Sequence, residues 1–165
     1  MTAPNDINTA TSWHERYRPQ SLDEMALDPS IRRQVEGYVK GGVLPDHLIL
    51  HGPPGTGKTT LAKIIIKVMQ PQVLLLNASM DRGIEVIRQK VATFARTIPW
   101  GRWKLVFMDE ADGLTPEAQD SLRGLMERYS FQTKFIFTAN DRDKLIAPLR
   151  SRLESIEIAC IHQAR

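Results

Sequence analysis

The chain has 165 residues, 42% apolar and 25% charged, with 22 basic and 19 acidic side chains and a formal net charge of +3. That length and composition suit one ordinary globular domain and exclude a large multidomain enzyme, a collagen-like chain and a disordered polymer. One cysteine, Cys160, excludes an intrachain disulfide framework. Apolar runs fall far short of the ~18 residues of a membrane span, and residues 1–12 lack the apolar stretch of a signal peptide. The expected location is cytoplasmic, or nuclear in a eukaryote.

Residues 1–14 are small and polar and read as a loose tail, 15–160 as the folded domain and 161–165 as its C-terminal end. Apolar side chains at Ile31, Val35, Tyr38 and Val39 predict a helix over 31–40, stopped by Gly41 and Gly42. The run Leu48, Ile49, Leu50 predicts a strand, a loop rich in glycine and proline follows, and an apolar helix then runs to Met69, where Pro71 closes it. The alternation continues with a strand at 73–76, a helix at 84–97, a strand at 104–108, a helix at 116–130, a strand at 134–138 and a last strand at 155–158. Leu114, Ala118, Leu122, Leu125, Met126 and Tyr129 share one helical face, as do Ile87, Val91, Phe94 and Ile98. Strands of nearly continuous Leu, Ile, Val and Phe are those buried on both faces, so the expected fold is a three-layer α/β domain with a five-stranded parallel sheet.

Charge alternates along the chain. Residues 81–104 carry six basic and two acidic side chains, net +4, and residues 109–127 one basic and six acidic, net −5. By itself this is what solvated helix faces give; a basic stretch facing a polyanion needs a motif to support it.

Such a motif lies between the first strand and the second helix. Gly52, Pro53, Pro54, Gly55, Thr56, Gly57, Lys58 and Thr59 fit the Walker A pattern throughout, in the strand-to-helix setting the pattern requires. The glycines let backbone N–H groups converge on phosphates, and the helix that follows presents its positive end to the same anion. Lys58 is expected to reach the β- and γ-phosphates and Thr59 to supply a hydroxyl ligand to Mg²⁺. Leu105 to Met108 then deliver Asp109 and Glu110 at the carboxyl end of a strand, where open α/β sheets bind ligands. Asp109 is placed to hold Mg²⁺ through water and Glu110 to orient or deprotonate the attacking water. Asn140 ends the next strand, within reach of the γ-phosphate. Arg150 and Arg152 sit on a loop before the last strand, where one can complete a neighbour's site as an arginine finger.

Together, Tyr17, Arg18 and Pro19, residues 51–60, the stretch 77–83 (Asn, Ala, Ser, Met, Asp, Arg, Gly), residues 109–112, the end Thr138, Ala139, Asn140, and the pair Ser151 and Arg152 resemble the AAA+ ATPase subunits of DNA sliding-clamp loaders. Replication factor C small subunits and their phage counterparts are most similar, and residues 77–83 are the most specific part, since other AAA+ families share the Walker motifs. The resemblance implies a P-loop, RecA-like domain in a five-membered ring that uses ATP to open a clamp and place it on primer–template DNA. It further implies that Tyr17, Arg18 and Pro19 line the adenine pocket, with Pro53, Gly55, Thr56, Gly57, Lys58, Thr59 and Thr60 around the phosphates. Asn140 would be sensor 1 and Arg152 the finger acting in trans. Arg82 and Arg88, at the start of the helix near Ile84, would meet DNA phosphates without reading sequence. The helix at 116–130 lies in the region that faces the clamp in this family. The family's Ser-Arg-Cys is Ser151, Arg152, Leu153 here, and its helical lid and collar are absent from the 165 residues. Two other readings stand beside the clamp-loader ATPase: an ATP-binding assembly module with negligible turnover, and another AAA+ DNA motor such as a branch-migration helicase.

Overall fold

The computed structural model describes residues 18–80, 83–101 and 103–159. In chain order these form helix α1 (Pro29–Gly41), strand β1 (His47–His51), α2 (Lys58–Met69), β2 (Gln72–Asn77), α3 (Ile84–Arg96), β3 (Lys104–Asp109), α4 (Pro116–Tyr129), β4 (Thr133–Ala139), the short α5 (Ala147–Arg150) and β5 (Glu154–Glu157). Two 3₁₀ turns, Ala111–Gly113 and Arg142–Lys144, follow β3 and β4. Helix α1 begins two residues before its apolar periodicity does, because Asp28 accepts the Ser30 N–H at 2.8 Å and Pro29 takes the first turn. Thr115 and Pro116 start α4 in the same way.

All five strands are parallel, in the order β2-β3-β4-β1-β5. Side chains alternate between two cores. Leu48, Leu50, Leu105, Phe107 and Ile136 pack with Val35 of α1 and Leu61 and Ile65 of α2; Ile49, Val106, Met108, Phe135 and Phe137 pack with Ile87 and Val91 of α3 and Leu122 and Met126 of α4. The expected three layers are therefore present. Burial on both faces holds for β1, β3 and β4, whereas β2 is an edge strand whose Leu75 is 58% exposed.

Two sequence expectations change on this side of the molecule. Ile98 does not share the buried face of α3: the helix ends at Arg96, Thr97 is extended, and Ile98 is 83% exposed, while Ala95 is enclosed instead. Lys104, counted in the basic stretch, is fully buried. Its ammonium donates to Phe94 O at 2.6 Å, to Thr97 Oγ1 at 2.7 Å and to Thr97 O, capping the carboxyl end of α3 from the neighbouring strand. Burial lowers its pKa. It presents no charge to a polyanion.

Candidate nucleotide-binding and catalytic site

Three adjacent strand ends build the site: β1, carrying the glycine loop; β3, carrying Asp109 and Glu110; and β4, inserted between them and carrying Thr138 to Asn140. Gly52 opens the loop at φ 141°, and a Cβ there would lie 2.2 Å from Ile158 O, so no other residue fits beside the chain leaving β5. Gly57, at φ 91°, turns the backbone into α2. Lys58 is 7% exposed, and its ammonium donates to Gly52 O at 2.8 Å and Pro53 O at 2.7 Å. An ammonium held beside the glycine loop, where backbone N–H groups converge, suits an anionic ligand such as a polyphosphate.

The hydroxyls of Thr59 and Thr138 both donate to Asp109 Oδ1, the first at 2.8 Å. Thr138 Oγ1 also accepts the Glu110 N–H at 3.0 Å. Glu110 sits in the left-handed region at φ 57°, which aims its side chain away from the strand direction. Its Oε2 accepts the Ser79 hydroxyl at 2.5 Å. Asn77 places that serine by accepting the N–H groups of Ser79 and Met80 at 2.8 and 3.2 Å, an Asx turn at the end of β2. Thr59 Oγ1 and Asp109 Oδ1 form a compact pair of hard oxygen donors, the set that Mg²⁺ takes when water and phosphate complete its shell.

One cavity of about 590 Å³ joins these groups. It is lined by Arg18, Pro19, Met25, Ala26, Pro54, Gly55, Thr56, Gly57, Lys58, Thr59, Thr60, Asp109, Glu110, Thr138, Ala139 and Asn140. The structure thus brings together Arg18, Pro19, Gly55, Thr56, Gly57, Lys58, Thr59, Thr60, Asp109, Glu110 and Asn140, all expected from sequence. Pro53 does not line the cavity; its carbonyl faces the loop interior and accepts from Lys58 and from Thr56 Oγ1, the latter at 2.9 Å. Tyr17 and Arg82 lie outside the described residues. Thr138 and Ser79 are visible in the sequence only as parts of motifs, and Met25 and Ala26 have no sequence signal of their own as site residues.

Arg152 does not line this cavity. It is paired with Glu127 of α4 and donates to Pro148 O at 2.5 Å. Glu127 also receives Arg123 at 3.1 Å, and Arg123 reaches Asp120 at 2.8 Å, a surface chain of alternating charges. Arg150 pairs with Asp143. Arg150 is not on a loop as expected but ends helix α5, with Arg152 in the turn after it; the segment leading into α5 is tied to α4 by Gln119, 1% exposed, whose amide donates to Leu114 O and Lys144 O at 3.1 and 3.2 Å and accepts the Ile146 N–H at 2.7 Å. Arg88, on the first turns of α3, is exposed and 3.8 Å from Glu85.

A parallel sheet in this order, with a glycine loop after β1 and an Asp-Glu pair after β3, defines a P-loop nucleotide-binding domain. Residues 48–159 match the family described as ATPase family associated with various cellular activities (AAA), and the chain belongs to that family. It is 44% identical over 154 residues to Replication factor C small subunit 2 of Pyrobaculum arsenaticum, covering 89% of this chain and 48% of that protein. It is 43% identical over 147 residues to the Replication factor C small subunit of Methanocella arvoryzae, covering 85% of this chain and 45% of that one. Among solved structures, the Thermotoga maritima RuvB Holliday junction branch migration motor superposes with a TM-score of 0.67 at 25% identity, over 87% of this chain and 48% of RuvB. The chain spans about half the length of these relatives. The RuvB likeness is that of the shared AAA fold.

Proposed function

We propose that this chain is the ATPase core of a sliding-clamp loader subunit, acting in a ring of related subunits to open a clamp and set it on primer–template DNA. The observation that carries the ATP chemistry is the junction of Thr59, Asp109, Thr138 and Glu110 beside the enclosed ammonium of Lys58. The similarity to Replication factor C small subunits supports the choice of machine. Lys58 and the loop amides bind the β- and γ-phosphates, and Arg18 and Pro19, with Met25 and Ala26, border the base end. Thr59 and Asp109 would hold Mg²⁺, Asp109 through water, and the ion when bound supplies positive charge to the phosphate oxygens. Glu110 accepts a proton from the attacking water and Asn140 orients that water. Arg152 acts on the nucleotide of the adjoining subunit, a role worth about 10³–10⁵ in rate where it is known. Arg82 and Arg88 meet DNA phosphates, with affinity that falls as salt rises.

One observation favours binding without turnover in the isolated chain: Glu110 is engaged by Ser79, and Arg152 by Glu127, within the same molecule. Titrating a fluorescent ATP analogue with Mg²⁺ and following phosphate release separates the two readings. Lys58→Ala is expected to weaken binding, and Glu110→Gln to keep binding and lose hydrolysis. Equal analogue affinity for parent and Lys58→Ala sinks the phosphate-loop assignment. Parental hydrolysis by Glu110→Gln removes Glu110 from the chemistry. For Arg152, a Lys58→Ala chain is mixed with an Arg152→Ala chain under conditions in which the subunits assemble. Recovered hydrolysis supports action in trans, and an Arg152→Ala chain as active as the parent excludes it.

A further inference from the structure

Helix α2 carries Thr60, Lys63, Ile64 and Lys67 on one stripe, three and four residues apart. With the strap formed by Arg18, Pro19 and Gln20, these side chains line a second cavity of about 300 Å³. Arg18, Pro19 and Thr60 border both cavities, whereas Glu110 and Asn140 line the first and not the second. Among the described residues its lining contains three cations, Arg18, Lys63 and Lys67, and no carboxylate. Glu24 is the nearby acid: Lys67 feels its charge, but its carboxylate is engaged by Gln20 N at 2.9 Å and Ser21 Oγ at 3.1 Å. Lys67 itself donates to Gln20 Oε1 at 3.5 Å. Two ammonium groups four residues apart repel each other on a helix. Lys67, in the last turn, is favoured by the helix dipole; Lys63, in the middle, is not.

We propose that this second cavity binds a phosphate group lying alongside the ribose of the bound nucleotide, either a free phosphate anion or a phosphate carried on that ribose. Placement beside the ribose rests on the nucleotide reading given above. The chemistry is that of one guanidinium able to bond two phosphate oxygens at once and two ammonium point charges, over the buried side chain of Ile64. Occupancy tightens nucleotide binding, because the strap it draws in is the wall of both cavities.

Calorimetric titration of the 165-residue chain tests this with three probes: ADP, adenosine 3′-phosphate 5′-diphosphate, and pyrophosphate added to ADP-saturated protein. The 3′-phosphorylated nucleotide is expected to bind roughly tenfold more tightly than ADP at low salt. That gain is expected to vanish in Lys63→Gln with Lys67→Gln, with ADP affinity unchanged; both lysines are exposed, so the core is untouched. Pyrophosphate uptake by the ADP complex, lost in the double variant and without any 3′-phosphate gain, assigns the cavity to a free anion. Neither effect in the parent, or both persisting in the double variant, overturns the proposal. Failure of ADP itself to bind removes the nucleotide reading instead. The cavity is then judged by whether pyrophosphate binding to the protein alone is lost in the double variant, and undiminished binding there rejects it.

Discussion

Replacing Thr138 with valine removes one hydroxyl from a side chain that is 2% exposed and leaves its shape almost unchanged. That hydroxyl donates to Asp109 Oδ1 and accepts the Glu110 N–H at 3.0 Å, so valine breaks two bonds at once. A neutral hydrogen bond contributes about 1 kcal/mol net and one to a charged group about 1.5–3 kcal/mol, giving a loss of roughly 2–4 kcal/mol. For a chain of this size each kcal/mol moves the melting temperature by about 2–4 °C, so a fall of roughly 4–16 °C is expected. The control is Thr138→Ser, which keeps the hydroxyl and gives up a methyl group, about 1 kcal/mol. Thermal melts by circular dichroism without nucleotide read the difference. Because the Glu110 N–H bond also helps hold that residue at φ 57°, valine is expected to lower phosphate release more than ATP-analogue affinity. A valine variant that melts with the parent while the serine variant is the less stable of the two refutes the reasoning.

Two further outcomes follow from single contacts. Gly52→Ala sets a Cβ 2.2 Å from Ile158 O in a backbone that favours glycine, and a loss of about 3 kcal/mol or more is expected, read as a lower urea midpoint; an unchanged midpoint contradicts the close approach of the loop to the chain after β5. His47, 8% exposed, has its pKa lowered from 6.5, chiefly by burial, with Asp46 opposing. A lowered folded value means that the unfolded chain takes up the proton first. Stability is therefore full above pH 6.5 and falls as pH drops through the lowered folded value, and His47→Phe is expected to flatten that slope in urea titrations below pH 6.5; a slope equal to the parent's assigns the effect elsewhere, with His51 the next group, since burial lowers its pKa too.

The local pattern of this chain determined its elements and most of its phosphate site. Glycine spacing, the apolar strand before it and the helix after it are properties of a dozen neighbouring residues, as is the apolar strand that ends in Asp109 and Glu110. The order of strands is not local. Only tertiary pairing inserts β4 between β3 and β1, and that insertion brings Thr138 against both Asp109 and Glu110 across some thirty residues of chain. Ser79 reaches Glu110 for the same reason, since β2 and β3 pair in parallel with Asn77 opposite Asp109. Charge shows the limit from the other side. Lys104 counts as a cation in sequence, yet its position on a central strand beneath the end of α3 turns it inward as a helix cap, and Arg152 is drawn to Glu127 on α4. A side chain's type belongs to the sequence, but its partner depends on which elements pack beside it, and that is decided by burial of the two apolar faces of the sheet.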